Sequence, residues 1–346
     1  MLCPGSEEIS ADRLRGLQWL AISVIVEITS HFTSEQAVEH VIFNSLGTRC
    51  AGDLYLPDKG GPVPGLVLGH SGVMVKEALA FFAPYFTKAG FAVLAIDYRT
   101  VGSSEGEPRG LDYPERQVED FRSAVSYLQT RPEVQPERIG VWGVSVGGSV
   151  ATQAAVLDRR IKCVVVQSPS VWNGWRYLER LRGRAGVHAL RDQLQQDWQR
   201  RYEGGQSARV PHLTLEGDSV KDTPDMSTRL FPAYRNEKTL DSAEHLLTFA
   251  PENLIHRLAP TPLLMIANGG WDPYHMLEEA QSAFAKAGEP KRLAVLPYDV
   301  LGLYTGPGLE EAMALAIDWF DLYLRKTRLP GSTPAPTYES VAAMTE

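Results

Sequence analysis

The chain has 346 residues, 44% of them hydrophobic, and a formal net charge of −8. That is enough for one large core with an insertion, or for two domains. Acidic and basic residues are interspersed, so no basic stripe marks a nucleic-acid partner. The three cysteines (Cys3, Cys50 and Cys163) are odd in number and far apart, which implies neither a disulfide framework nor a zinc site.

Residues 1–36 read as an N-terminal helical extension. Leu14, Leu17, Ala21, Val24, Ile25 and Ile28 fall at helical spacing. The apolar run is about half the roughly 20 residues a membrane span needs, and it contains Glu27, so no membrane span is expected. The helix is read as packing on the body, with an entrance lining or a homodimer contact as the alternatives. From Ala37 to Leu56 alternating residues predict a β-hairpin, turned at Leu46, Gly47 and Thr48. Gly65 to Gly69 is a short buried strand ending at His70, Ser71 and Gly72. A helix is predicted from Lys76 to Lys88, and Phe91 to Ile96 is the next buried strand. The helix from Pro114 to Gln129 carries its apolar face on Val118, Phe121, Val125 and Leu128.

Ile139 to Val144 is an apolar strand that runs into Gly143, Val144, Ser145, Val146 and Gly147, and a helix-friendly run follows. This G-x-S-x-G pattern between strand and helix is that of a nucleophile elbow, in which a sharp turn lifts the serine clear of the sheet. Glycines flank the serine because a Cβ there would strike the neighbouring strand and helix. The helix N-terminus points its N–H groups at whatever Ser145 attacks. Ile161 to Gln167 is another apolar strand and makes Cys163 a buried thiol. A reduced, cytoplasmic setting is the simplest reading. Strands that are apolar throughout and alternate with helices predict a mostly parallel sheet covered on both faces, an α/β fold.

At Ser168 the character changes. Residues 169–258 are rich in Arg, Gln, Glu and aromatics and read as a helical cap inserted over the sheet, without a core strand pattern. The core is assigned to 37–168 and 259–328. The sheet resumes at Pro262 to Ala267 and leads to Asp272. Helices are predicted over Tyr274 to Ala287 and Leu309 to Leu324, with a strand from Lys291 to Leu296 between them. Residues 329–346 read as a flexible tail. No P-loop, Rossmann glycine fingerprint or cluster of metal ligands is present, so no cofactor and no metal is expected.

Strand, elbow serine, cap and late acid is the chain order of an α/β-hydrolase triad. From about Phe43 to Leu324 the chain resembles α/β-hydrolases of the dienelactone-hydrolase-like, polyketide-processing kind. The residues that carry this are Ala51 to Pro57, Gly69 to Gly72 with Lys76 and Glu77, Asp97 to Arg99 with Gly102 to Pro108, Gly143 to Gly148, Asp272, Gly302 to Tyr304, and Ile317 to Phe320. The resemblance implies Ser145 as nucleophile, Asp272 as the acid that orients the base, and an oxyanion hole from the N–H of Val146 and the turn at Ser71 and Gly72. Asp272 also fits a helix N-cap. His70 is expected to shape its loop, Lys76 and Glu77 to mark a helix start, and Asp97 and Arg99 to form a structural ion pair.

One position departs from the resemblance. Relatives place the catalytic histidine four residues before the tyrosine of the late Leu-Tyr pair, and Val300 stands there. No histidine follows His275. His275, three residues after Asp272, and Asp299, beside Val300, are the substitute bases to weigh. An exposed helix face is the favoured reading for His275, and a surface or packing role for His188, His212 and His245. Two classes of function follow. One is a serine-dependent hydrolase or acyltransferase acting on an ester, thioester or lactone. The other is a hydrolase-fold lyase, isomerase, cyclase or binding protein, or an inactivated variant, whose triad is degenerate. The Trp, Tyr and Arg of the cap fit a small-molecule substrate that is bulky, partly aromatic and acidic. The same aromatics also fit a small core of the cap's own.

Overall fold

The computed structural model describes residues 37–58, 60–212 and 230–326. The N-terminal extension and the tail from 329 lie outside the described residues. The apolar runs of the sequence form one eight-stranded sheet. Its strands, in chain order, are β1 (Val38–Ser45), β2 (Thr48–Tyr55), β3 (Val63–Gly69), β4 (Ala92–Ile96), β5 (Val134–Val144), β6 (Ile161–Gln167), β9 (Leu263–Asn268) and β10 (Lys291–Leu296). Their spatial order is β1-β2-β4-β3-β5-β6-β9-β10. The β1–β2 hairpin is antiparallel and meets β4 antiparallel, and every pairing from β4 to β10 is parallel. Two-residue strands β7 (Arg209–Val210) and β8 (Lys238–Thr239) pair separately.

Alternation decides the hairpin faces: Val41, Phe43 and Ser45 are buried while His40, Ile42 and Asn44 face water. The central strands β3 to β6 are buried on both sides, as their unbroken apolar runs require. One face carries α2 (Pro114–Gln129) and α3 (Val146–Leu157), with Phe121, Ala124, Val125, Leu128 and Ala154 in its core. The other carries α1 (Ala83–Lys88) and α7 (Gly306–Phe320) around Trp142, Phe86 and Phe320. Three helix bounds differ from expectation. The run from Lys76 divides into a 3-10 turn (Lys76–Leu79) and α1. The late helix α6 starts only at Leu277 and ends at Lys286. The last one is α7, which continues into a π turn over Asp321–Arg325.

Between β6 and β9 the described residues form α4 (Gly174–Tyr202), kinked at Gly183 where φ is +70°, and α5 (Ser242–Thr248). This segment has its own apolar cluster of Val171, Tyr177, Leu178, Val187, Leu190 and Leu194. Its aromatics divide: Trp172 and Tyr234 are buried, whereas Trp175 and Trp198 are exposed beneath Arg191 and Arg201. Arg176 pairs with the buried carboxylate of Glu252 in the same segment at 2.8 Å and with that of Glu279 on α6 at 2.6 Å, which ties the segment to the sheet side. No helix among the described residues is long and apolar enough to cross a membrane.

Candidate active site

β5 ends in the elbow. Ser145 adopts φ +56° and ψ −127°, a region that a non-glycine residue occupies only when its surroundings hold it there. Its N–H donates to the Gln167 carbonyl at 3.0 Å, which anchors the elbow to β6. The crossing is tight: a Cβ on Gly147 would lie 2.4 Å from the His70 carbonyl oxygen, and one on Gly143 2.3 Å from that of Gly147. Helix α3 starts at Val146, so the first N–H groups beyond the serine have no intrahelical acceptor.

The turn after β3 comes up beside the serine. Ser71 Oγ donates to Ser145 Oγ at 3.2 Å, and Met74 N–H closes the turn on the Ser71 carbonyl at 2.9 Å. Gly72 sits at φ +52°, and Gln117 Nε2 donates to its carbonyl at 3.2 Å. Tyr98 Oη donates to the His70 carbonyl at 3.0 Å. Neither Gln117 nor Tyr98, which the sequence marks only as part of the Asp97 to Arg99 stretch, is legible there as a support for this turn, because that support depends on contacts across 45 and 28 residues. His70 is fully buried, and that burial pushes its imidazole down to about 3, so it is neutral and shapes the loop as expected.

His275 is where the expectation is corrected. His275 is not on an exposed helix face: its side chain is 12% exposed, and it lies in the loop before α6. Asp272 explains this. Its Oδ1 accepts the backbone N–H groups of Tyr274 and His275 at 2.8 and 2.7 Å, curling the chain into a tight turn before the helix begins. The curl brings His275 Nδ1 to 2.8 Å from the same carboxylate oxygen and Nε2 to 2.9 Å from Ser145 Oγ. Burial pushes the Asp272 carboxyl up, but the hydrogen bonds from the His275 ring and the two N–H groups outweigh it and hold it below the ordinary value. The N-cap reading of Asp272 is therefore right in kind and wrong in place. It caps a turn, and the N-cap of α6 is Met276.

The other candidates stand apart. Val300 is half-buried in the turn after β10. Asp299 is exposed, and its carboxylate accepts the Gly302 N–H at 2.7 Å. His188 is exposed on α4, and His245 pairs with Glu115 and stacks on Tyr113 at 3.6 Å. His212 leans over the turn at Ser71 and Gly72, where a Cβ on Gly72 would meet its Nε2 at 2.6 Å. Its Nδ1 meets Tyr234 Oη at 3.0 Å, and burial lowers its imidazole to about 4. The expected Asp97–Arg99 pair is not formed. Asp97 instead accepts the N–H groups of Lys76 and Ser103, while α2 presents buried Asp120 to Arg99 at 2.7 Å. Lys76 opens its 3-10 turn and pairs with Glu77 and Asp53 at 2.7 and 3.2 Å. A cleft of about 270 Å³ between the β1–β2 turn and α2 includes Thr48, Arg99, Tyr113 and Arg116 and none of Ser145, His275 or Asp272.

This sheet and elbow are those of an α/β-hydrolase, and the chain belongs to the serine aminopeptidase S33 family, whose model matches residues 65–297. It is 31% identical over 266 residues to the thiohydrolase aneE of Aspergillus aculeatus, covering 71% of this chain and 80% of that protein. It is 30% identical to the polyketide transferase ATR5 of Stachybotrys chlorohalonatus over 74% of this chain and 87% of that one. Among solved structures, a hypothetical protein from Pseudomonas aeruginosa matches with a TM-score of 0.74 and 26% identity, over 85% of this chain and 95% of that one. The protein is thus an enzyme of hydrolase or acyl-transfer type.

Proposed function

We propose that the protein is a serine acyl hydrolase or acyltransferase that opens an ester, thioester or lactone carbonyl, with a substrate from polyketide or other secondary metabolism. The observation that carries this reading is the hydrogen-bonded chain Ser145 Oγ–His275 Nε2 (2.9 Å) and His275 Nδ1–Asp272 Oδ1 (2.8 Å). It has the connectivity that nucleophilic catalysis needs: nucleophile, base, and a carboxylate that fixes the base's tautomer. Ser145 Oγ attacks the carbonyl carbon and its proton passes to His275 Nε2. The oxyanion is met by the N–H of Val146 and by the turn at Ser71 and Gly72. The imidazolium then protonates the departing alkoxide or thiolate, leaving an acyl-serine. Water releases the acid, or a second nucleophile takes the acyl group.

The relatives named thiohydrolase and polyketide transferase support a thioester or polyketide substrate and leave both water and transfer as outcomes. The described residues of the segment 169–258 fit a cap, and their buried aromatics fill its own core and the sheet-side core. The alternative of a degenerate triad was motivated by Val300. That motive weakens when an imidazole from the preceding loop is within hydrogen-bond reach of the serine.

The test is covalent. A fluorophosphonate should label Ser145 stoichiometrically, read by intact mass and peptide mapping, and Ser145→Ala should abolish both labelling and hydrolysis of a short-chain acyl thioester. An unlabelled wild-type protein with no turnover would sink the proposal.

A further inference from the structure

A second feature lies at the other end of the oxyanion-side turn. Val73, two residues beyond Ser71, borders a narrow cleft of about 30 Å³ whose rim includes Gly102, Arg109, Arg209, Arg235 and Glu237. Three arginines and one glutamate thus line the cleft, in a protein whose net charge is −8. Two residues of extended chain reach at most about 7 Å, and Ser71 Oγ is 3.2 Å from Ser145 Oγ. Val73, on the lining of the cleft, therefore lies within about a nanometre of the reacting serine.

The arginines are held by uncharged groups as much as by acids. Arg109 is half-buried and donates to the carbonyls of Ser104 and Gly102, the latter at 2.7 Å. Among the described residues it has no ion pair, and the Glu107 carboxylate beside it accepts its backbone N–H at 3.0 Å. Burial, and the Arg235 guanidinium nearby, hold Arg109 below its ordinary value in spite of Glu107. Arg209 donates to the Arg109 carbonyl and forms a long ion pair with Glu237 at 3.7 Å. Arg235 is exposed; its carbonyl accepts the Glu237 N–H at 2.6 Å, while its guanidinium has no hydrogen bond or ion pair among the described residues. Its position is fixed by its neighbours, since Phe231 and Tyr234 pack on Val73, Val75 and Val101. Like charges are thus gathered without a full set of counter-charges, on a packed support.

We infer that this arginine-lined cleft binds the anionic end, a carboxylate or phosphate, of the same substrate whose carbonyl Ser145 attacks. The inference rests on the acyl-transfer reading and deepens it by naming a charged substrate class. Size decides which part of the substrate enters. A water molecule needs roughly 10–15 Å³ of such space, so 30 Å³ has room for a small polar group rather than for a long acyl chain. Guanidinium forks match the planar or tetrahedral oxygens of these groups.

The experiment uses the full-length protein and 4-nitrophenyl half-esters of dicarboxylic acids from succinate to sebacate, beside uncharged monocarboxylic esters of equal length. Arg235→Gln is the variant, because the side chain is exposed and supports nothing else. One chain length of half-ester should be preferred over its neutral counterpart. Arg235→Gln should lower kcat/KM for it about tenfold through KM, as expected for losing one charged hydrogen bond, and leave neutral esters unchanged. No preference at any length, or equal effects on both ester sets, would overturn the inference. Calorimetric titration with inorganic phosphate reads the site without turnover. If neither ester set is hydrolysed, the acyl-transfer reading fails; phosphate binding that Arg235→Gln weakens still supports the oxyanion site, and unaltered or absent binding overturns it. Arg235-dependent phosphate binding without any half-ester preference would assign the cleft to free phosphate and overturn the link to substrate.

Discussion

Replacing His275 by alanine separates proton transfer from loop structure. The backbone N–H groups of Tyr274 and His275 donate to Asp272 at 2.8 and 2.7 Å whatever side chain stands at 275, so the turn keeps its cap. What is lost is the ring between Asp272 and Ser145, with contacts of 2.8 and 2.9 Å. The stability cost is that of a half-buried hydrogen-bonded group, about 1–3 kcal/mol, which a domain with two large cores tolerates. The catalytic cost is far larger. Under the proposed function the change removes the base of a coupled triad, which lowers turnover roughly ten-thousandfold to a millionfold, or about 5–8 kcal/mol of transition-state stabilisation. Initial rates on 4-nitrophenyl butyrate and on a short-chain acyl thioester, with circular dichroism as the folding control, read both quantities. Val300→His, run alongside, should gain little, because Ser145 already has an imidazole partner. A folded His275→Ala protein within tenfold of wild type, with a hundredfold gain in Val300→His, would refute this reasoning and return the base to the position after β10.

Two further outcomes test the scaffold. Gly147→Ala forces a Cβ to within 2.4 and 2.6 Å of two backbone carbonyl oxygens, and backbone cannot rotate away; a loss of roughly 3 kcal/mol is expected in urea unfolding, and a loss under about 1 kcal/mol would show that α3 shifts freely against β3. Burial pushes the Glu252 carboxyl up, but hydrogen bonds from Arg176, Asn173 and Lys286 outweigh it and hold it at about 2, against an ordinary 4.5. Its contribution is present above pH 4.5 and lost as pH falls towards 2. It amounts to at most about 3 kcal/mol, less solvent screening because Arg176 is 30% exposed. Urea midpoints of wild type should therefore fall more steeply over that window than those of Glu252→Gln, and parallel curves would remove Glu252 from the acid response.

Local physics wrote much of this molecule into the sequence. Apolar runs with flanking glycines set the strands, because a doubly covered strand must be apolar throughout. The elbow at Ser145 was legible because a serine raised on a strand-to-helix crossing needs glycine on both sides. The place of Asp272 after a late strand was legible, because the apolar run of β9 leads to it. The sequence could also see that Val300 cannot move a proton. It could not see which imidazole faces the serine. His275 is separated from Ser145 by 130 residues, and their meeting depends on β5 and β9 lying in one sheet with only β6 between them. Nor could periodicity find the turn that Asp272 closes: the helical pattern runs back to Tyr274, yet a carboxylate accepting two backbone N–H groups holds the chain out of the helix until Leu277. The same holds for Arg99, which pairs across to α2 rather than with Asp97, and for the three arginines gathered from 109, 209 and 235. Spacing along the chain fixes what a residue can do within a turn or two. Which distant charges and rings meet is decided by strand order and packing, which exist only in the folded molecule.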